Sequence, residues 1–251
     1  MEFRLIFDTI PDLFDKYRPR YTKELFDYLI KRADVTQDKS VLEIGPGTGQ
    51  ATDAILATGC KYTAIELGKN LCKKMIEKYG EYPNFSIING DFITHNFGQA
   101  QFDLIYSSAT IQWIDEEIAY PLSYNLLKSG GTLAMMFTKS DYKTTNEPLY
   151  EKIQQVYADY YKPSIEYTCG SFGYENASKY GFLEYEKKEF YAQRVLNAQE
   201  YVSYCSTHCT HLTIPEPFKT KFFDGLYSVV KQNGDKVVFN DTYVLYVVKK
   251  P

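Results

Sequence analysis

The sequence predicts an α/β fold: a doubly wound, seven-stranded sheet, mostly parallel, with an antiparallel strand at its C-terminal edge and an inserted helical cap. Three observations carry that expectation. An apolar run, Val41 to Ile44, leads straight into a glycine-rich turn, Gly45-Pro-Gly-Thr-Gly49, and on into a helix-like segment, Gln50 to Ala57. Strand-like and helix-like stretches then alternate as far as Phe137, the pattern of right-handed βαβ units on a parallel sheet. The 251 residues leave room for a single domain with a large core and an insert.

The elements follow in order. Thr22 to Ala33 carries Leu25, Phe26, Leu29 and Ile30 at the spacing of an amphipathic helix, and Arg18-Pro19 ends any helix before it. Lys61 to Ile65, Phe85 to Ile88 and Phe102 to Tyr106 read as the second, third and fourth strands. Asp115 to Lys128 reads as a helix made irregular by Pro121; Ser129-Gly130-Gly131 is a turn, and Thr132 to Thr138 the fifth strand. Beyond it come a polar loop, Lys139 to Asn146, a helix, Leu149 to Tyr161, and an irregular stretch, Lys162 to Tyr180. A strand over Phe182 to Val195 precedes a helix over Asn197 to Ser206, capped by Asn197. Pro215 to Gln232 is a longer helix with Pro215 in its first turn and Phe218, Phe222, Leu226 and Val229 on one face. Val237 to Phe239 and Tyr243 to Val248 close the sheet. The expected division is a lead-in and helix over 1–35, a core over 36–138, an insert over 139–211, and a closing helix and strands over 212–251.

The glycine turn selects a ligand by its spacing. A dinucleotide fingerprint wants its third glycine three places after the second; that place is Gln50, and the third glycine comes early, at Gly49. Glu43 stands just before the loop, where it would face a pyrophosphate badly. It suits a cationic ligand instead, such as the sulfonium and amino group of S-adenosylmethionine. Glu66, with Leu67 beside it, ends the second strand, about 20 residues after the loop, where an acid accepts from ribose hydroxyls. Asp91 and Phe92 end the third, where a carboxylate takes an adenine amino group and a ring covers the base; Asp91 could equally cap the next turn. Ser107 and Ser108 end the fourth, where the methyl group should emerge.

These motifs resemble the class I S-adenosylmethionine-dependent methyltransferases. The resemblance rests on Leu42 to Gly49, Ile65-Glu66, Asn89-Gly-Asp-Phe92, Phe102 to Ser108 and Leu126 to Leu133, and covers Val41 to Phe137. It implies a Rossmann-like fold, S-adenosylmethionine as cofactor and methyl transfer as activity. Phe14-Asp-Lys-Tyr-Arg-Pro19 is similar to the lead-in of the small-molecule branch that includes trans-aconitate methyltransferase, and Gln112-Trp113 to that branch's His-Trp pair, with Gln for His. In that branch the lead-in folds over the cofactor, which implies that Tyr17 and Arg18 meet it, Arg18 at the methionine carboxylate; otherwise they are a surface pair.

Net charge narrows the acceptor. At −4 the chain lacks the basic surface of a phosphate-driven nucleic-acid binder, and Ser107-Ser-Ala-Thr110 stands where amino-methylating nucleic-acid enzymes carry an Asn-Pro-Pro-Tyr-type tetrad. The expected partner is a small-molecule carboxylate, phenol or amine. The alternatives are a cofactor-binding regulator or scaffold on the same fold, or a methyltransferase acting on protein or RNA. No apolar run reaches membrane-spanning length and no secretory signal leads the chain, so the expected location is the cytoplasm. Five scattered cysteines suit free thiols. Trp113 is core or cleft wall, and His208 and His211 are candidates for meeting the acceptor. Cys205, His208, Cys209 and His211 match no common zinc spacing and on one helix could not converge, so no metal is expected.

Overall fold

The computed structural model describes residues 3–165 and 172–251. The chain opens with a 3-10 segment, Phe3–Thr9, and two helices, α1 (Pro11–Tyr17) and α2 (Lys23–Arg32). The core follows as β1 (Ser40–Ile44), α3 (Asp53–Leu56), β2 (Lys61–Glu66), α4 (Lys69–Tyr79), β3 (Phe85–Asn89), β4 (Phe102–Ser108), α5 (Glu116–Leu126) and β5 (Leu127–Asp141). Then come α6 (Glu147–Tyr160), a 3-10 segment at Tyr174–Tyr180, β6 (Leu183–Leu196), α7 (Ala198–Cys205), α8 (Cys209–Leu212), α9 (Phe218–Gln232) and β7 (Val237–Lys249).

The seven strands run in the order β3-β2-β1-β4-β5-β7-β6. Strands β1 to β5 are parallel, and β7 lies antiparallel to both β5 and β6. The antiparallel C-terminal strand thus sits one place inside the edge, and β6 forms the edge itself. Strand order reverses between β1 and β4, the switch point at which open α/β sheets bind ligands. Register brings the strand ends level there: Ile44 pairs with Ile65 and with Ser107, and Glu66 with Asn89.

Period-two alternation divides the sheet's side chains between two cores. Ala134 and Met136 of β5 with Tyr243, Leu245 and Val247 of β7 join Leu25, Leu29, Ile55 and Met75. Leu133, Met135, Val244, Tyr246 and Val248 join Tyr120, Ile105 and Phe182. A third core, of Ile153, Tyr201, Cys205, Phe222, Leu226 and Phe239, holds α6, α7 and α9 against the start of β7.

Several boundaries differ from the sequence reading. The helix expected from Gln50 begins only at Asp53, because Gly45, Gly47 and Gly49 all hold positive φ and the loop closes as turns. The Ser129-Gly130-Gly131 turn is a bulge within β5, between the Phe102–Leu127 and Leu104–Thr132 pairs, and β5 runs on to Asp141 through the start of the expected loop. Pro121 lies inside α5. The α9 helix starts at Phe218, past Pro215, and buries Phe222, Leu226 and Val230 while Phe218 is exposed. The closing strands are one, continuous through Asn240 to Thr242. Asn197 caps α7 as expected, accepting from the Glu200 N–H while Glu200 accepts from its own, a reciprocal capping box. Cys60, Cys72, Cys205 and Cys209 are free thiols; the expected thiol Cys169 lies outside the described residues.

Candidate active site

A cavity of about 580 Å³ opens at the switch point. One end is walled by Gly45, Pro46, Gly47, Glu66, Leu67, Asp91 and Phe92. The other is walled by Tyr21, Ser108, Thr138, Ser140, Tyr174 and Tyr204. Phe7, Phe14 and Arg18 of the lead-in and Trp113 also line it.

The glycine loop is shaped for close approach. Gly45 has φ +64°, and a Cβ there would lie 2.3 Å from Thr110 Cγ2, whose hydroxyl donates to the Gly45 carbonyl at 3.0 Å. Gly47 has φ +60° with the Phe14 ring edge 3.0 Å from where its Cβ would be. Beneath the loop, Glu43 is wholly buried and accepts from Thr52 Oγ1 at 2.7 Å and from the Tyr62 hydroxyl. Burial pushes its carboxyl up, against the pull of those hydroxyls. Glu43 therefore braces the loop from below and does not line the cavity, a correction to its expected ligand contact. A period-two strand turned it inward.

Glu66 lies at the cavity wall, 7% exposed, and accepts from the backbone N–H groups of Gly47 at 3.0 Å and Gly68 at 2.8 Å. Burial pushes its pKa up to about 7 although both N–H groups favour the ionised form. Asp91 accepts from Arg4 at 2.8 and 3.3 Å and from the Ile93 N–H at 3.0 Å. Partial burial works to raise its pKa, and Arg4 with the Ile93 N–H holds it below the ordinary value.

The lead-in closes the cavity. Phe3 and Phe7 pack on Trp113 at 5.9 and 5.8 Å between ring centroids, which makes Trp113 cavity wall. Asp8 accepts from the Asn70 and Leu71 N–H groups at the start of α4. Arg18 stacks against Phe7 and Phe14 and donates to the Thr207 carbonyl at 2.9 Å, and burial lowers its pKa. Its Nε is buried with no hydrogen-bond partner among the described residues, while the Ser108 hydroxyl faces that of Tyr21.

The structure thus gathers Arg18, Gly45, Gly47, Glu66, Leu67, Asp91, Phe92 and Trp113 around one cavity. Besides Glu43, it leaves out five others. Tyr17 turns to the outside of the lead-in, toward Ser203. Gly49 packs on Tyr79, and Ser107 is sealed in the sheet, its hydroxyl donating to the Ile44 carbonyl and accepting from the Ile111 N–H. His208 and His211 lie behind Tyr204 and Cys209, which take the wall positions. Arg4, Tyr21, Thr138, Ser140, Tyr174 and Tyr204 were missed. Only Tyr21, close behind the Tyr17-Arg18 lead-in, had a local signal; the others come from segments distant in sequence.

The Cys/His cluster also differs. The chain leaves helical geometry at His208, an extended residue with ψ 135° between α7 and α8. Side-chain ligand atoms of Cys205, His208 and His211 consequently lie within 4.8 Å of one another, while Cys209 turns to the cavity. The expectation that the group could not converge assumed one continuous helix, and it fails for those three.

Comparison with known proteins agrees with this geometry. Residues 42–135 match a methyltransferase domain family. The ribosomal RNA small subunit methyltransferase A of Trichormus variabilis is 34% identical over 73 residues, 29% of this chain and 27% of that protein. The chain thus spans only about a quarter of such a relative. An uncharacterised methyltransferase of Schizosaccharomyces pombe is 24% identical over 94% of both chains. Among solved structures, a phosphoethanolamine N-methyltransferase 2 of Haemonchus contortus, with phosphomonomethylethanolamine and S-adenosylhomocysteine bound, superposes with a TM-score of 0.59 at 19% identity, over 100% of this chain and 60% of that one. With a glycine loop at the switch point and acids at the next two strand ends, residues 42–135 have the layout of the methyltransferase domain family that they match, and the chain shares the fold of solved methyltransferases.

Proposed function

We propose that the protein is an S-adenosylmethionine-dependent methyltransferase whose acceptor is a small molecule bound in the same cavity as the cofactor. One observation carries this reading: a single cavity joins the Gly45–Gly47 loop to a tyrosine-lined end, and a buried polar atom in its wall, Arg18 Nε, has no partner among the described residues. Buried polar groups without partners are costly, so such atoms point to a polar ligand.

The residues fit the cofactor. Glu66 would accept from the ribose hydroxyls, Asp91 from the adenine amino group once Arg4 yields, and Phe92 would pack against the base. Arg18 would pair with the methionine carboxylate. When bound, S-adenosylmethionine supplies an already activated methyl group. The chain's own task is to align the acceptor in line with it and exclude water, which the lead-in does by covering the cavity. Both carboxylates of the described wall, Glu66 and Asp91, stand at the cofactor end. With no acid or imidazole among the described residues of the acceptor end, the acceptor is one that asks for no such base: a carboxylate, a phenolate or an amine.

Calorimetric titration with S-adenosylmethionine and its demethylated product tests the cofactor half. A methyl-transfer screen of metabolite carboxylates, phenols and amines, run beside tRNA, rRNA and DNA, tests the acceptor half. Turnover on nucleic acid alone would overturn the small-molecule reading. Cofactor binding without turnover on any acceptor would favour a regulator. No helix among the described residues is long and apolar enough to cross a membrane; a cytoplasmic location remains part of the proposal.

A further inference from the structure

We propose that Cys205, His208 and His211 form a binding site for one zinc-class divalent metal ion, with three protein ligands and a fourth position left for water. The cluster lies behind the acceptor end of the cavity, under the turn between α7 and α8, and the methyl-transfer reading makes no use of it.

The ligand set has the right chemistry. One thiol and two imidazoles suit a borderline metal such as zinc, and three protein ligands with an open position are a common zinc arrangement. Around tetrahedral zinc, neighbouring donor atoms lie roughly 3.3–3.8 Å apart, from bond lengths of about 2.0–2.3 Å. The three donors here already stand within 4.8 Å, so about 1 Å of side-chain adjustment closes the set.

The surroundings orient the ligands. His211 Nδ1 lies 2.8 Å from the Cys205 carbonyl oxygen, so Nδ1 carries the proton and donates, and Nε2 is left as an acceptor, facing the Tyr157 hydroxyl. A ligating imidazole whose other nitrogen donates to a backbone carbonyl is the usual supporting arrangement at metal sites. The Tyr157 hydroxyl, 3.3 Å from that Nε2, donates to it in the metal-free chain; an ion taking the lone pair would release the hydroxyl to a metal-bound water. Burial keeps both imidazoles neutral, the protonation state that ligates; Arg18 works the same way on each, and Arg194 on His208. Cys205 is the opposite case: burial raises its thiol pKa to about 12, so the metal must displace the proton, which leaves to solvent as the sulfur–metal bond forms. His208 is only half-buried and gives the ion its way in.

Two arginines face the cluster and oppose a cation. Arg194 is offset by its ion pair with Asp241, and Arg18 by the carboxylate it is proposed to hold. The site should therefore load more tightly when the cavity is filled by an anionic ligand. That dependence rests on the proposed function, whereas the site itself does not.

Full-length protein, purified reduced and stripped with a chelator, tests the site by zinc titration against a chromophoric chelator and by cobalt(II) titration. The expected result is one equivalent per chain and, with cobalt, a near-ultraviolet thiolate-to-metal charge-transfer band. Cys205→Ser should remove that band. His211→Gln should weaken binding by more than about 100-fold, beyond the loss usual for supporting residues. Cys60→Ser, altering a buried thiol elsewhere, should leave both unchanged. If Cys205→Ser fails to fold, His208→Ala at the half-buried position reports instead. Zinc bound no more tightly by wild type than by His208→Ala, or a cobalt complex without the thiolate band, would overturn the proposal whether or not the protein proves to be a methyltransferase.

Discussion

Arg4 and Asp91 form a two-point ion pair, at 2.8 and 3.3 Å, that ties the first 3-10 segment to the chain just after β3. The carboxylate it engages is the one proposed for the adenine amino group, so the lead-in is latched by a group the cofactor needs. Arg4→Ala should loosen residues 3–17, seen as faster amide exchange there without cofactor. The pair is partly exposed, so global stability should fall by no more than about 1 kcal/mol. Cofactor should restore protection in wild type. Equal exchange with and without cofactor would rule out a closing lead-in.

Glu66 sets a pH dependence. Its folded pKa of about 7 lies above the ordinary 4.5 because burial disfavours the charge. The folded chain therefore keeps a proton that the unfolded chain has lost between those values. This group's contribution to stability is fully present below pH 4.5 and is lost as pH rises through about 7. Cofactor affinity runs the other way, because ribose hydroxyls need the ionised acceptor. Calorimetry at pH 6 and pH 8 should show tighter binding at the higher pH, and Glu66→Gln should flatten both trends and weaken binding by roughly 1–3 kcal/mol. Wild-type affinity that does not change over this range would sink the ribose assignment.

The glycine loop predicts unequal costs for one added methyl. Gly45→Ala would place its Cβ 2.3 Å from Thr110 Cγ2, and Gly47→Ala 3.0 Å from a Phe14 ring that has room to shift with the lead-in. Both positions are left-handed, at about 1–2 kcal/mol each for a residue with a side chain. Chemical denaturation should find Gly45→Ala the more destabilised, with Gly47→Ala losing mainly cofactor affinity. The reverse order would mean that Phe14 is held more firmly than Thr110.

Much of this architecture was legible in the sequence. The glycine loop, Glu66 and Asp91 are read from strand ends, where local spacing fixes three-dimensional place. Glu43 shows the limit: it belongs to the loop motif, yet its position within β1 turns it under the loop toward Tyr62 and Thr52. The acceptor end was hidden because its wall is gathered from α2's approach, β4, β5 and α7, segments with no common motif. The convergence of His208 with Cys205 and His211 was hidden for a different reason. One extended residue between two helices redirects a side chain, and helical spacing carries no sign of it.

Arg194 anchors the acceptor end from behind. Its guanidinium is paired with Asp241, a carboxylate 1% exposed that also accepts from Ser140 at the cavity wall. It stacks on Tyr204 and Phe239, each 4.9 Å from the ring centroid, and Tyr204 is itself a wall residue. Arg194→Ala strands a buried charge and should cost about 3–5 kcal/mol. Arg194→Lys keeps the charge but loses the two-point bond and the stacking, so it should recover only part of that stability. In the Arg194→Ala, Asp241→Asn double variant the stranded charge is gone, and stability should return toward wild type. Its acceptor KM should stay raised, because Ser140 and Tyr204 have lost their common support, while cofactor affinity is unchanged. A double variant with wild-type KM would show that the pair holds the sheet and cap together without shaping the acceptor end.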